Sequence, residues 1–170
     1  MSNMNWDNSE LAQALSPGLK NIIGFKQDLI QSVITDSRLV KSGDLFVCLK
    51  GERFDAHDFA EQVMKLGAIG LVVDRPLDLD IPQWVVNDTR LALGQLSKAW
   101  RLKFAIPFLG VVGSNGKTTS KEMLASICKV RWGQEFVLVT EGNLNNDIGV
   151  PQTLLRLRSH HLGAVIEMGM

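Results

Sequence analysis

The chain has 170 residues, 45% hydrophobic and 21% charged, a balance that suits one ordinary globular domain or two small ones and excludes a disordered polypeptide. Eighteen Lys and Arg offset eighteen Asp and Glu, and local basic clusters are absent, so charge does not argue for nucleic acid or an anionic membrane as partner. Residues 1–10 are polar without a basic-then-apolar leader layout, and no run approaches the roughly 18 apolar residues of a membrane span, which gives the expectation of a cytoplasmic protein.

In chain order, residues 29–35 and 44–49 read as short strands flanking the turn signal Lys41-Ser42-Gly43-Asp44, and residues 57–66 as an amphipathic helix. Residues 68–73 return to strand, 76–82 form a proline-bounded turn region, and 83–86 make another short strand. Asp88 or Thr89 can cap a helix reaching about Lys103, with Leu91, Leu93, Leu96, Ala99, Trp100 and Leu102 at its apolar positions. Alternating strands and helices imply an α/β fold. A boundary is expected at residues 103–107, where that helix ends and a new strand begins, giving units 1–104 and 105–170. Cys48 and Cys128 lie 80 positions apart with no Cys or His companion at metal-ligand spacing, and read as buried thiols of a reducing compartment. His57, His160 and His161 suggest no zinc site.

The apolar run 106–112 leads into Gly110-Val-Val-Gly113-Ser114-Asn115-Gly116-Lys117-Thr118-Thr119, and residues 121–130 read as the helix that follows. Glycines let backbone N–H groups turn onto phosphate oxygens, and a helix N-terminus adds the positive end of its dipole. Lys117 would reach the β- and γ-phosphates, and Thr118 stands where a phosphate-loop hydroxyl meets Mg2+. A strict Walker A sequence would place glycine at position 111, where this chain has Val111, so the pattern is a variant. The competing interpretation is a Gly-rich turn that merely caps a helix.

Residues 140–151, Thr-Glu-Gly-Asn-Leu-Asn-Asn-Asp-Ile-Gly-Val-Pro, are a polar loop leading to a helix that Pro151 opens in its first turn. Asn145 and Asn146 offer carboxamides to a polar ligand, although Asn- and Gly-rich segments are also ordinary turns. The last strand, residues 163–166, delivers Glu167 to a carboxyl end, the ligand side of open α/β sheets. Glu167 is therefore a candidate metal carboxylate, or else a solvated strand-end glutamate. Residues 110–170 hold about three strands and two helices, fewer than a phosphate-loop domain normally needs, so its sheet is expected to stop part-way with apolar surface exposed.

Three segments together, Gly-Val-Val-Gly-Ser-Asn-Gly-Lys-Thr-Thr-Ser-Lys-Glu-Met, Glu-Gly-Asn-Leu-Asn-Asn-Asp-Ile-Gly-Val-Pro-Gln-Thr-Leu-Leu-Arg-Leu and Ala-Val-Ile-Glu-Met-Gly, resemble the Mur ligase family. Thr35-Asp36-Ser37-Arg38, Gly43-Asp44-Leu45-Phe46 and Lys50-Gly51-Glu52-Arg53-Phe54-Asp55 resemble its UDP-sugar-binding segment, so the likeness covers nearly the whole chain. The Asn-Leu-Asn-Asn-Asp-Ile-Gly-Val-Pro run is most similar to the branch that joins D-alanyl-D-alanine to UDP-N-acetylmuramoyl-tripeptide in peptidoglycan synthesis. The resemblance implies a small N-terminal α/β UDP-sugar-binding domain followed by the first part of a P-loop parallel-sheet ATPase domain. It implies ATP and Mg2+ as cofactors, with UDP-N-acetylmuramoyl-tripeptide and D-alanyl-D-alanine as substrates. In that scheme Gly113, Ser114, Asn115, Gly116, Lys117, Thr118 and Thr119 hold ATP, with Lys117 acting on the transferring group. Thr118 and Glu167 hold Mg2+, Asn145 and Asn146 line the substrate side, and Ser37 and Arg38 contact UDP.

Family members continue well past the Glu-Met-Gly position, so the resemblance also implies that the rest of the ATPase domain, a carbamylated lysine for a second Mg2+ and a closing domain lie outside this sequence. The chain alone is then expected to be inactive and prone to association. Ala56 replaces a glycine of the family pattern and would be strained if that position needs positive φ. Ser37 and Arg38, taken without the family, are equally a capped turn and a surface cation. The alternatives are a non-catalytic UDP-sugar or ATP-binding module, another Mur-type amide ligase, an unrelated P-loop NTPase and a folate-polyglutamate ligase. The last two are disfavoured: there is no Asn-Lys-x-Asp motif, and Gly-Lys-Thr-Thr stands where the folate enzymes carry Gly-Lys-Gly-Ser.

Overall fold

A computed structural model describes residues 4–24, 28–51 and 54–169. The chain divides into two compact units, one running to Leu96 and the other from Ser97 onward, a division that falls inside a helix.

The first unit opens with α1 (Asn8–Leu15), an element with no counterpart in the sequence reading. Asp7 Oδ1 accepts from the N–H groups of Ser9 and Glu10 at 2.8 and 2.9 Å, and Glu10 reaches back to the Asp7 N–H, a capping box that fixes the helix start. Strand β1 (Leu19–Ile23) follows and was equally unanticipated. β2 (Ser32–Ile34) is shorter than residues 29–35, because Ile30 makes only an isolated bridge to Trp6. β3 (Asp44–Val47) leads through a 3-10 turn at Ala56–Phe59 into α2 (Ala60–Lys65), so the helix expected from residue 57 starts as a tighter turn capped by Asp55. β4 (Gly70–Val73), β5 (Gln83–Val86) and α3 (Thr89–Arg101) complete the run.

The sheet order is β1-β5-β4-β3-β2, parallel from β2 through β5, with β1 antiparallel on the outer edge. Every residue of β3, β4 and β5 is buried, as continuous apolar runs in a sheet covered on both faces require. One core cluster sets Phe46, Leu71 and Val73 against Ala56, Ala60 and Val63 of the helical layer. Gln83, fully buried, donates to Leu77 O and accepts from Leu77 N–H, both at 2.9 Å, and so pins the turn region before β5. On α3, Leu93, Leu96 and Trp100 are buried as expected, whereas Leu91 and, one residue past the helix, Leu102 are exposed.

The second unit contains β6 (Phe108–Val111), α4 (Lys117–Trp132), β7 (Val137–Val139), α5 (Gly149–Leu155) and β8 (Gly163–Glu167). Its sheet, order β6-β8-β7, is wholly parallel and places β8 in the middle. Val111, Ala125, Cys128, Val137 and Val165 form its core cluster, flanked by Leu124, Trp132 and Val139. α4 begins four residues earlier than expected, because Gly116 supplies a left-handed N-cap and Ser120 N–H already bonds to Gly116 O at 2.9 Å. Pro151 is the third residue of α5, within its first turn. Both cysteines are buried free thiols.

Candidate functional site: a glycine loop beside a buried carboxylate

Gly113 and Gly116 carry φ of +144° and +72°, and a Cβ on Gly116 would meet no atom within 4 Å, so the loop between β6 and α4 is open and depends on glycine for its shape. Gly116 provides no side-chain cap, which leaves the first N–H groups of α4 directed at the loop with the positive end of the dipole. Ser114, Asn115, Thr118 and Thr119 are exposed around them. Half-buried Lys117 folds back, its Nζ donating to Gly113 O at 2.7 Å, and so closes the loop over itself. The turn-and-cap alternative accounts for Gly116 but gives no reason for a lysine tied across the loop.

Strand register sets Val111, the last residue before this loop, opposite Glu167 at the end of β8. Glu167 is only 2% exposed, which removes the solvated strand-end alternative. Its Oε1 accepts from Asn145 Nδ2 at 2.8 Å, whereas Oε2 is buried with no hydrogen-bond partner. A polar oxygen left unpaired out of water is costly, and a hard cation with oxygen ligands is a group that would relieve it. No cluster of three or more His, Cys, Asp or Glu able to hold a metal occurs among the described residues, so any cation here would rely on few protein ligands.

The two asparagines divide their roles. Asn145 is tied to Glu167 through its side chain and to the Gly169 N–H through its carbonyl, while Asn146 Oδ1 accepts from Gly149 N–H at 2.8 Å and starts α5. The structure thus brings Asn145 to the carboxylate and gives Asn146 a capping role.

Sequence reasoning missed two members of this assembly. Lys121, one helical turn beyond Lys117, is 2% exposed and donates to Thr140 O at 3.0 Å while pairing with Glu122 at 2.9 Å. That hydrogen bond from Lys121 lowers the pKa of Glu122. Thr140, just past β7, accepts the Glu167 N–H on Oγ1 at 2.9 Å. The i, i+4 spacing of Lys117 and Lys121, and the place of Thr140 at a parallel strand's carboxyl end, were the available signals.

In the first unit, Ser37 and Arg38 lie in a 3-10 turn capped by Asp36. Arg38 grips Asp36 with Nε at 2.9 Å and a terminal nitrogen at 2.6 Å, and these hydrogen bonds hold the Asp36 carboxyl down at about 2. Glu52 and Arg53 of the UDP-type segment lie outside the described residues. Beyond them, the buried His57 ring sits between two carboxylates, with Nδ1 at 2.5 Å from Asp55 Oδ1 and Nε2 at 3.2 Å from both the N–H and Oδ1 of Asp74. Arg75 bonds to both Asp55 and Asp74 at 2.9 Å. Burial alone would raise the pKa of Asp55, but the backbone and ring N–H of His57 and the Arg75 guanidinium outweigh it and hold this carboxyl far below the usual range. Ala56 has no positive φ, since Asn5 alone among the described non-glycine residues does, so the anticipated strain is absent.

Two family models match the chain: "Mur ligase family, catalytic domain" over residues 29–101 and "Mur ligase middle domain" over residues 111–170. The chain is 53% identical over 140 residues to the UDP-N-acetylmuramoyl-tripeptide--D-alanyl-D-alanine ligase of Escherichia coli, covering 82% of this chain and 30% of that protein. It is 48% identical over 162 residues to the Haemophilus influenzae enzyme of the same name, covering 94% and 35%. Among solved structures, MurF from Acinetobacter baumannii superposes with a TM-score of 0.90 at 46% identity, covering all of this chain and 37% of that one. MurF ligase from Thermotoga maritima in complex with ADP does so with a TM-score of 0.72 at 32% identity, covering 81% and 32%. The chain therefore spans about a third of the length of the curated relatives it matches. From its two matched domains, its likeness to the curated ligases and its fold, the chain belongs to the Mur ligase family.

Proposed function

We propose that this chain carries the UDP-sugar-binding domain and the phosphate-loop part of an ATP-dependent ligase that joins D-alanyl-D-alanine to UDP-N-acetylmuramoyl-tripeptide in peptidoglycan synthesis, in the cytoplasm. The observation that carries the site is the buried, half-satisfied Glu167 carboxylate level with the mouth of a glycine loop. In the reaction, the tripeptide carboxylate takes the γ-phosphoryl group of ATP and releases ADP. The D-alanyl-D-alanine amine then attacks the acyl carbon, phosphate leaves, an amide forms and a proton is lost.

Positioning and charge neutralisation dominate such chemistry. Gly113, Ser114, Asn115, Gly116, Lys117, Thr118 and Thr119 cradle the phosphates with backbone N–H groups, and Lys117 exchanges its bond to Gly113 O for the transferring group. The Thr118 hydroxyl and Glu167 Oε2 are hard oxygen donors that fit Mg2+, whose charge would offset that of the phosphates. Asn145 steadies Glu167, and Asn146 borders the substrate side. Ser37 and Arg38 contact the UDP moiety, with Arg38 presented by Asp36 as a pre-set cation.

The domain boundary is proposed near residue 104, just past the end of α3 at Arg101, although the compact units divide at Ser97 within that helix. The remainder of the ligase is proposed to supply the closing domain, and the isolated chain binds nucleotide without turnover. The test is phosphate release by the chain given Mg-ATP, UDP-N-acetylmuramoyl-tripeptide and D-alanyl-D-alanine, each omitted in turn, with Lys117→Ala as control. No release above the control, together with ATP binding that Lys117→Ala abolishes, is expected. Release that needs all three substrates would show that this chain suffices, and ATP binding indifferent to Lys117 would overturn the assignment of the loop.

A further inference from the structure

We propose that Lys121 and Thr140 are positioning residues for the cation site, a clamp that fixes the end of β8 so that Glu167 presents a free oxygen there. The inference rests on the reading of Glu167 as a metal ligand given above. The clamp is a chain of three buried groups from three elements. From α4, Lys121 places its ammonium on Thr140 O. Thr140 continues the β7 ladder by one residue, its N–H donating to Val165 O at 3.1 Å, and turns its hydroxyl to accept the Glu167 N–H. On the other flank, Met168 N–H donates to Val111 O at 2.9 Å, so the backbone around Glu167 is tied to both neighbouring strands where the phosphate loop departs.

Packing alone does not call for this arrangement. Ala125 and Cys128 already seat α4 on the sheet, and a buried ammonium carries a desolvation cost that an apolar side chain at position 121 would avoid. The lysine, 2% exposed, uses its charge to hold a carbonyl, and the residue owning that carbonyl is 1% exposed and holds the carboxylate's own backbone. With Asn145 occupying Oε1, every hydrogen bond in the set leaves Oε2 as the unfilled position.

The experiment measures how much Mn2+ tightens ATP binding by this chain, as the ratio of affinities in Mn2+ and in EDTA, with paramagnetic resonance counting bound Mn2+. The variants are Thr140→Val, Thr140→Ser, Lys121→Met and Glu167→Gln, each checked for a native melting transition. Thr140→Val and Lys121→Met are expected to reduce the metal-dependent gain about tenfold, the worth of one charge-linked or buried hydrogen bond, while metal-free ATP affinity stays unchanged. Thr140→Ser restores the gain. In amide NMR spectra the Glu167 N–H shifts upfield in Thr140→Val and stays in place in Thr140→Ser, a signature that general loss of stability would not give. Should Glu167→Gln lose the gain while Thr140→Val and Lys121→Met keep it within twofold, the clamp is refuted and the metal reading survives. Should Glu167→Gln keep it, or wild type show no gain, the metal reading fails and the clamp with it.

Discussion

Gly116 and Gly149 are both glycines of the site, and they are constrained in opposite ways. Gly116 needs its left-handed backbone but has open space around it, so Gly116→Ala should cost about 1 kcal/mol in chemical denaturation. At Gly149 the backbone is ordinary, but a Cβ would overlap the Leu144 backbone one residue before Asn145. Gly149→Ala should therefore cost roughly 2–3 kcal/mol and displace the Asn145 side chain from Glu167, which NMR of its carboxamide would reveal. Asp55 gives the first unit a stabilising contribution that depends on pH. Its folded pKa lies below the unfolded value of about 3.9, so its stabilising contribution is complete above that pH and is lost as pH falls through the folded value. Urea midpoints taken from pH 6 downward should fall more steeply below about pH 4 in wild type than in Asp55→Asn, which already lacks the contribution at neutral pH. Asp36, held down at about 2 by its Arg38 hydrogen bonds, acts with the same sign, and its pairing with the 83% exposed Arg38 side chain is screened by solvent.

Helix α4 shows what sequence patterns reveal and what they hide. The glycine loop, its lysine and the strand before it were legible because each depends on residue type at fixed spacing: two glycines with positive φ, a lysine after the second, an apolar run ahead. The carboxyl end of β8 was legible for the same reason, and β5 was read to the residue. The clamp was not, since a buried lysine looks like any surface lysine until the strand beside it is placed, and Thr140 is chosen by a neighbour 27 positions away. α1 was missed although Asp7 and Glu10 form its capping box, because a polar segment without long periodicity gives a weak helical signal. The direction of α4's apolar residues was also hidden. Met123, Ile127 and Val130 recur at i, i+4 and i+7 yet are 64%, 65% and 90% exposed, while Ala125 and Cys128 face the core. Such a stripe, on a unit whose β6 leaves Leu109 exposed, should drive concentration-dependent association in sedimentation, and Ile127→Glu should suppress it. A wild-type monomer at high concentration would contradict this.

The two units are built to unequal depth, and the cysteines report on each separately. In the first, three adjacent strands are buried along their whole length and helices supply a broad core. In the second, three strands carry a smaller cluster, and β6 exposes Leu109 and Gly110. Less apolar area withdrawn from water means less stabilisation, so the second unit should open first. Cys48 sits in the first core, where burial, then the nearby charges of Asp55 and Asp74 against Arg75, push its thiol up to about 12. Cys128 sits in the second core. Thiolates are the reactive form, so a brief pulse of alkylating reagent at pH 8 should label neither residue in the native chain. In rising urea, mass spectrometry should find Cys128 labelled at a distinctly lower concentration than Cys48. Mg-ATP, if it binds the phosphate loop, should then delay Cys128 and leave Cys48 where it was, because a ligand raises the stability only of the unit that binds it. Coincident labelling of the two cysteines would mean that the units unfold as one cooperative body, and a delay of Cys48 by Mg-ATP would place the nucleotide's stabilising contacts beyond the second unit.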